Sequence, residues 1–178
     1  MILLEIRPMD DSLLTFEPVS LFSAGELADI IDRSYAELLE KWPGPWEHER
    51  EKWRDFDRQA FAHPDTVGKC VFVSCLERTP VGLASYDPRP GPSHAVIGQN
   101  CVLPEYRGRG FGKRQILEIL GRFTAGKIRL ARVTTSEHPF FIPAGTLYRD
   151  LGFQEIRRRP GGPDPRYRLI ELEKGLLS

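Results

Sequence analysis

The sequence predicts a single α/β domain built on a mixed sheet and covering residues 1–178. Its length suits one domain with a well-buried core. Short apolar runs rich in β-branched residues alternate with segments whose apolar residues recur every three or four positions, which predicts strands interspersed with helices. A glycine-rich turn at 107–113 joins one such strand directly to a helix. The predicted order is strand, two helices, three strands, helix, strand, helix and two strands.

The first half of the chain holds the two consecutive helices. Ser23 and Glu26, three residues apart, form a capping box that begins the first helix. The run Pro43-Gly44-Pro45 ends it, and a charged amphipathic helix with Trp46 and Trp53 on its apolar face follows. The expected bounds are 2–19 for a first strand with an irregular lead-in, 23–39 and about 46–61 for the helices, and 70–76, 81–86 and 95–103 for three strands.

The second half carries the glycine-rich turn and a helix that bears a tyrosine. An amphipathic helix begins at Gly112 and ends near Ala125. The β-branched stretch that follows predicts a strand. The remaining elements are expected at 127–135 for that strand, around Tyr148 for a short helix, and at 153–158 and 167–172 for the last two strands.

Composition excludes several classes of protein. Apolar residues make up 40% of the chain and charged residues 28%, as in globular rather than disordered proteins. The 25 Lys and Arg equal the 25 Asp and Glu, and without a basic excess we expect no nucleic-acid partner. No apolar run approaches the roughly 18 residues of a membrane span, and the N-terminus lacks the pattern of a secretory signal. We therefore expect a cytoplasmic protein that does not contact a membrane.

The cysteine and histidine patterns argue against disulfide and metal chemistry. Cys70, Cys75 and Cys101 are odd in number and contain no Cys-x-x-Cys motif, which indicates reduced, buried thiols. The four histidines lie far apart and lack the spacing of metal ligands. We expect no metal site.

The segment 102–113, Val-Leu-Pro-Glu-Tyr-Arg-Gly-Arg-Gly-Phe-Gly-Lys, has the character of a phosphate cradle. Glycines allow backbone N–H groups to approach an anion closely, and the start of the following helix adds a partial positive charge. Arginine and lysine side chains place full charges beside it. The candidate anion-binding residues are Arg107, Gly108, Arg109, Gly110, Phe111, Gly112 and Lys113.

Two common glycine motifs do not fit this segment. A Walker A loop requires Gly, four residues and then Gly-Lys-Ser/Thr, but positions 107 and 114 are both Arg. A dinucleotide fingerprint requires a third glycine where Lys113 stands. The remaining pattern, Arg107-x-x-Gly110-x-Gly112 after Val102-x-Pro104, resembles the acyl-CoA pyrophosphate loop of the GNAT N-acetyltransferase family. An ordinary Gly/Arg-rich turn between a strand and a helix is the alternative.

A second segment, Ala-Gly-Thr-Leu-Tyr-Arg-Asp-Leu-Gly-Phe at 144–153, is similar to another motif of the same family. Ala144, Leu147 and Tyr148 share one helical face at spacings of three and four. By itself, a tyrosine on such a face usually packs its ring in the core, half-buried, and leaves its hydroxyl exposed to solvent. The two segments occur in the family's order, and the resemblance implies that Tyr148 is catalytic.

The resemblance covers nearly the whole chain and implies a specific architecture and cosubstrate. The implied fold is a central, mostly antiparallel sheet with splayed strands 4 and 5, flanked by about four helices. Those strands would be 95–103 and 128–135. The pantetheine arm of acetyl-CoA, or of another acyl-CoA, would enter the gap and pair with the main chain of Asn100, Cys101 and Val102.

The implied reaction is direct attack of an amine on the thioester. Tyr148 would be the general acid for the departing thiolate, and a backbone N–H near Val102 would stabilise the carbonyl oxygen. The base stays open between Glu105, Glu137, His138 and a water chain. The acceptor also stays open, from a small amine to a protein terminus, and a homodimer is one oligomeric state that the family leads us to expect. A non-catalytic acyl-CoA-binding module is the alternative function.

The sequence departs from the family pattern at one position and leaves three side-chain roles open. Phe141 stands where many members carry an Asn that contacts the cofactor arm, so that contact is not expected here. The pair Phe140 and Phe141 either packs the core or shapes an apolar pocket. Either Trp42 or Trp46 is hypothesised to touch the acceptor. The basic cluster 157–159 with Arg166 either forms a solvated hairpin or favours an acidic acceptor.

Overall fold

In the computed structural model, which describes residues 10–176, a seven-stranded sheet with strand order β1-β2-β3-β4-β5-β7-β6 forms the centre of the molecule. The strands are β1 (Leu14–Pro18), β2 (Val71–Leu76), β3 (Thr79–Asp87), β4 (Ala95–Val102), β5 (Leu130–Ser136), β6 (Gln154–Arg159) and β7 (Leu169–Gly175). The helices are α1 (Glu26–Ser34), α2 (Ala36–Lys41), α3 (Glu49–Ala62), α4 (Phe111–Ala125) and α5 (Ile142–Asp150).

The mixed, mostly antiparallel sheet predicted above is confirmed. The β4–β5 pair is parallel, and the other pairs of neighbouring strands are antiparallel. Successive side chains of a strand point to opposite faces. Val73 and Leu83 accordingly pack with α1 and α3 on one face, whereas Phe72 and Ala84 pack with α4 on the other.

The N-terminal region differs from the sequence prediction in two ways. The first strand is shorter than the predicted 2–19: β1 begins at Leu14, and residues 2–9 lie outside the described part of the chain. The predicted single helix 23–39 is wrong, because the backbone leaves helical geometry at Tyr35 and divides it into α1 and α2. This division accounts for five helices where about four were expected.

The start of α1 is capped from another helix. The predicted capping box forms only in part: Ser23 donates its backbone N–H to the Glu26 carboxylate, but the N-cap residue is Gly25. The buried carboxylate of Asp57 on α3 accepts hydrogen bonds from the N–H groups of Gly25 (2.8 Å), Leu27 (3.1 Å) and Ala28 (3.3 Å). A negative charge at a helix start also complements the helix dipole. Asp57 thereby ties α1 to α3.

The strands β4 and β5 separate part-way along their length. They pair only at Ala95–Ile97 with residues 131–133. The β3–β4 register shifts at this level, where the two β4 residues Gly98 and Gln99 stand opposite Ser85 of β3. Such a bulge bends the strand that contains it. The sheet therefore opens between β4 and β5 towards their carboxyl ends.

Two further expectations concern the cysteines and membranes. Cys70, Cys75 and Cys101 are buried and unpaired, as their spacing indicated. Within residues 10–176, no helix combines the length and the apolar character needed to cross a membrane.

Candidate active site

The gap between β4 and β5 leads into a cavity of about 350 Å³. Its walls come from β4, from the start of α5 and from the junction of α1 and α2. The wall residues used below are Tyr35, Asn100, Val102, Phe140, Phe141 and Ala144. We call this cavity the slot.

Main-chain groups of β4 face the slot. Leu103 donates its N–H to Val81 O of β3 at 2.9 Å, so the peptide groups of the preceding residue, Val102, point away from β3 and into the gap. Arg107 Nε donates to Val102 O at 3.2 Å, which places that oxygen at the slot mouth. The side chain of Cys101 instead packs on the α1 face of the sheet.

The glycine-rich turn presents unsatisfied backbone donors beside the slot. Gly108 (φ 76°) and Gly110 (φ 79°) adopt the left-handed conformation that favours glycine, and a Cβ at either position would point into open space. Gly110 is the N-cap of α4, and its carbonyl oxygen accepts the N–H of Arg114 at 3.1 Å. Among residues 10–176, no acceptor faces the backbone N–H groups of Gly108, Gly110, Phe111, Gly112 and Lys113.

The side chains of the turn have different surroundings from their main chain. Arg107 bonds to Ser34 O as well as to Val102 O, and it lies 3.7 Å from Glu37. The guanidinium of Arg109 pairs with Asp11 and lies 5.0 Å from the centre of the Phe111 ring.

Two other side chains of the turn also have defined environments. Phe111 is buried in the core. Lys113 is exposed and makes no ion pair within the part of the chain that the structure describes. The groups of the turn that are open to an anion are therefore the backbone N–H groups named above and the Lys113 ammonium.

Tyr148 lies beside Asn100, a wall residue of the slot, and is only 4% exposed. Burial raises the pKa of its hydroxyl to about 12, and the adjacent Asn100 amide offsets part of that rise. Two buried polar atoms have no hydrogen-bond partner in the described residues: Asn100 Oδ1 in the slot wall, and Thr135 Oγ1 on the β5 residue next to Gly145 of α5. Buried polar atoms usually have partners, so both are open to a hydrogen bond from another molecule.

Sequence reasoning missed Thr135. It lies two residues after Val133, the last β5 residue that pairs with β4, and is buried against α5, where a Cβ on Gly145 would lie 3.9 Å from its methyl group. The only sequence signal for Thr135 is that it lies in a strand of β-branched residues. Its neighbours lie in the same strand, so this signal does not single out Thr135.

His138, one of the candidates for the base, is buried. Its ring lies 4.6 Å from Trp42, 5.6 Å from Trp46 and 4.7 Å from Tyr167, centre to centre. Its Nδ1 accepts the N–H of Phe140 at 3.2 Å, so the neutral ring carries its proton on Nε2. Burial lowers the pKa of His138. With its lone pair already engaged, His138 is poorly placed to accept a proton from an amine.

The two carboxylates considered as bases are also engaged. Glu137 accepts from Arg158 at 2.7 Å and from the Arg168 N–H at 3.2 Å, and these bonds lower its pKa. Glu105 pairs with Arg33 at 3.0 Å on the surface. Both carboxylates are therefore already held by positively charged or N–H partners.

Aromatic rings form the wall of the slot opposite Asn100. Phe140 and Phe141 line the cavity, and their ring centres lie 5.7 and 6.1 Å from that of Tyr35. Trp46 is buried against Phe141 at 5.4 Å, whereas Trp42 is half-buried beside His138. Both readings of the Phe140–Phe141 pair therefore hold, since the rings pack against the core and also shape an apolar pocket.

The basic cluster near the C-terminus is neutralised within the molecule. The carboxylate of Glu171 pairs with Arg157 at 3.1 Å and with Arg159 at 2.5 Å. Arg158 pairs with Glu155, and Arg166 pairs with Asp164 at 2.6 Å. Because each arginine has a carboxylate partner, this cluster gives no support for an acidic acceptor.

Solved structures with the same architecture identify the fold. A protein of the GNAT family from Desulfovibrio desulfuricans superposes with a TM-score of 0.71 at 15% identity, over 92% of this chain and 99% of that one. The ribosomal-protein-S18-alanine N-acetyltransferase from Escherichia coli gives 0.63 at 16% identity, over 93% and 95%. A chain of the NatC complex bound to Gag peptide and CoA gives 0.64 at 17% identity, over 92% and 99%.

The sequence itself matches one family. No curated protein sequence shows significant similarity to this chain. The model of the acetyltransferase (GNAT) family matches residues 28–153, which include α1, the splayed strands, the glycine-rich turn and Tyr148. This chain belongs to the GNAT acetyltransferase family.

Proposed function

We propose that this protein transfers an acetyl group from acetyl-CoA directly to an amine. The observation that carries the proposal is a set of backbone N–H groups, those of Gly108, Gly110, Phe111, Gly112 and Lys113, that have no protein acceptor within residues 10–176. They adjoin a slot whose wall residue Asn100 lies beside Tyr148. A helix start with free N–H groups is an anion site, and a diphosphate satisfies several of them at once.

The slot suits the arm that connects such a diphosphate to a thioester. The peptide groups of Val102 face the gap and can pair with an extended amide chain as a neighbouring strand would. On this proposal Asn100 Oδ1 and Thr135 Oγ1, which have no hydrogen-bond partner within residues 10–176, offer one acceptor and one hydroxyl to the amides or the acyl carbonyl. On this proposal Arg107 releases Val102 O when the arm binds.

The proposed chemistry follows from Tyr148. The amine nitrogen bonds to the thioester carbon, and the carbon–sulfur bond breaks as the tetrahedral intermediate collapses. A hydroxyl with a pKa of about 12 stays protonated near neutral pH, so Tyr148 holds the proton that the departing thiolate takes. The proton lost by the amine returns to solvent or to the phenolate, which balances the exchange.

Calorimetric titration with acetyl-CoA tests the donor site. We expect micromolar binding, about −8 kcal/mol, by the wild-type protein. Gly110→Glu should abolish it, because a carboxylate at the N-cap of α4 would occupy the diphosphate position. An absence of binding to the wild-type protein would overturn the proposal.

Two control variants separate charge from backbone strain. Gly110→Asn introduces a neutral side chain that tolerates the left-handed conformation, and it should weaken binding far less than Gly110→Glu. Gly121→Glu places the same charge further along α4, where a Cβ meets no atom within 4 Å, and it should leave binding unchanged. Equal losses in Gly110→Glu and Gly121→Glu would contradict a local diphosphate site.

A non-catalytic acyl-CoA-binding module is the second candidate. The engagement of Glu105, Glu137 and His138 favours it, because none of them is free to act as a base. Both candidates require acetyl-CoA binding, so turnover of a broad amine panel distinguishes them. The enzyme should show CoA release that depends on an amine, whereas the module should bind without turnover.

A further inference from the structure

A second cavity lies outside the slot, on the face of the sheet that carries α1 and α3. It encloses about 590 Å³, within the range typical of small-molecule sites. Its walls come from α3, from the segment before β2, and from β3 and β4. The wall residues that bear on its function are Phe56, Val67, Lys69, Asp87, Val96 and Gln99. We call it the vertex pocket.

The vertex pocket meets the slot where β4 leaves β5. Gly98 and Gln99, the bulge residues, line the pocket, and the next residue, Asn100, lines the slot. Beyond Ile97 the two strands no longer pair, so no strand closes the sheet between the two cavities at this level. The two cavities therefore adjoin along β4, at the step from Gln99 to Asn100.

The charges around the vertex pocket disfavour a polycation. Asp87 is the only carboxylate of its lining, and Arg89 holds it through bonds of 2.9 and 2.6 Å. Lys69 stands exposed at the rim and has no ion-pair partner within residues 10–176. A positive rim without a free carboxylate repels ammonium groups and stabilises the neutral form of an amine.

The walls of the vertex pocket suit an apolar body. Phe56, Val67 and Val96 present hydrocarbon surface, and the only other ring in the lining is that of Tyr86. Burying such surface against a ligand supplies about 25 cal/mol per Å² of apolar area. The polar amide of Gln99 stands at the end nearest the slot.

We infer that the vertex pocket is the acceptor chamber and that it selects monoamines with an aromatic or branched apolar body over polyamines. This inference rests on the proposed acetyl transfer and names the substrate class of that reaction. It also accounts for the engaged carboxylates and histidine around the slot. An acceptor that enters already neutral, from a chamber that disfavours the ammonium form, needs no dedicated protein base.

The test compares phenethylamine with spermidine as acceptors, after acetyl-CoA binding has been measured on the same preparation. We expect the kcat/KM for phenethylamine to exceed that for spermidine by at least about tenfold. Spermidine brings extra positive charges to the positive rim and has no compact apolar body for the walls, and differences of this kind change kcat/KM by about that factor. Saturable binding of phenethylamine to the CoA-saturated protein should be detectable by calorimetry. Failure to bind acetyl-CoA would refute the proposed function itself, whereas acetyl-CoA binding without phenethylamine binding would refute only this inference.

A filling variant locates the site. Val96→Phe places a larger side chain in the vertex pocket and should raise the KM for phenethylamine about tenfold or more, with acetyl-CoA affinity changed less than twofold. Ile156→Phe makes a comparable change on the exposed edge strand β6 and should alter neither constant. The inference would be overturned if Val96→Phe left the KM for phenethylamine unchanged. It would also be overturned if Trp42→Ala raised that KM and Val96→Phe did not, or if the protein acetylated spermidine faster than phenethylamine.

Discussion

Ile97 and Asn100 of β4 face the same side of the sheet although they are three residues apart. Ile97 packs in the core with α4, and Asn100 lies beside Tyr148 of α5. A regular strand would turn them to opposite faces. The bulge at Gly98 and Gln99 adds one residue to β4 and so shifts the alternation of its side chains between the two faces of the sheet. Ser85 Oγ stabilises the bulge by accepting the Gln99 N–H at 2.8 Å.

Gly98→Ala should disrupt this bulge. An added Cβ would lie 2.5 Å from Ser85 Oγ, so either the bulge or Ser85 must move. We expect a loss of about 1–3 kcal/mol in the free energy of unfolding. Ser85→Ala removes the clashing oxygen, and in that background Gly98→Ala should cost at least about 1 kcal/mol less. A double-mutant cycle by urea denaturation measures this coupling, and strict additivity of the two changes would contradict the argument.

Asp57→Ala should destabilise the protein by about 2–3 kcal/mol, because it leaves three N–H groups at the start of α1, one of them buried, without their acceptor. Asp57→Asn keeps an acceptor oxygen and should cost about half as much. Asp55→Ala, an exposed change on the same helix, should stay within about 0.5 kcal/mol. Chemical denaturation of the three variants checks the order, and a similar cost for Asp55→Ala and Asp57→Ala would refute trans-capping.

His138 should make the fold sensitive to acid. Its folded pKa lies below the ordinary value of about 6.5, so below that pH the unfolded chain binds a proton that the folded chain does not. Stability should therefore fall as the pH drops from about 6.5, with a slope of up to about 1.4 kcal/mol per pH unit. His138→Gln should flatten this slope whatever its effect at pH 8, and the exposed change His48→Asn serves as the control. An unchanged slope in His138→Gln would show that other groups cause the acid loss.

Tyr148→Phe should lower kcat about 10–100-fold without weakening acetyl-CoA binding more than twofold, because it removes the acid and keeps the ring. With a pKa near 12, the Tyr148 hydroxyl should stay protonated up to about pH 10. Any fall of kcat between neutral pH and about pH 10 should therefore be the same in the wild-type protein and in Tyr148→Phe. Steady-state kinetics between pH 6 and about 10, with binding measured in parallel, checks both statements. Tyr106→Phe, on the turn before α4, is the control, and a wild-type kcat in Tyr148→Phe would remove Tyr148 from the chemistry.

The sequence by itself determined the features that depend on local pattern. The glycine-rich turn was recognisable because φ above zero and free N–H groups at a helix start require glycine at Gly108 and Gly110. The helical face of Tyr148 followed from its three- and four-residue spacings, and the order of strands and helices from hydrophobic periodicity. These signals lie within a few residues of one another, and the fold class they predicted is the one observed.

Only the tertiary structure decided the features that join distant parts of the chain. Asp57 caps a helix about 30 residues earlier, and Ser85 secures a bulge 14 residues later. Thr135 and His138 acquired their roles through burial, one beside α5 and the other among aromatic rings. No local sequence pattern encodes these contacts. Each one joins a single polar side chain to a backbone N–H group or to a packed surface elsewhere in the chain, and almost any residue can supply that second partner. The physical reason is that burial and long-range hydrogen bonding are fixed when the helices close on the sheet.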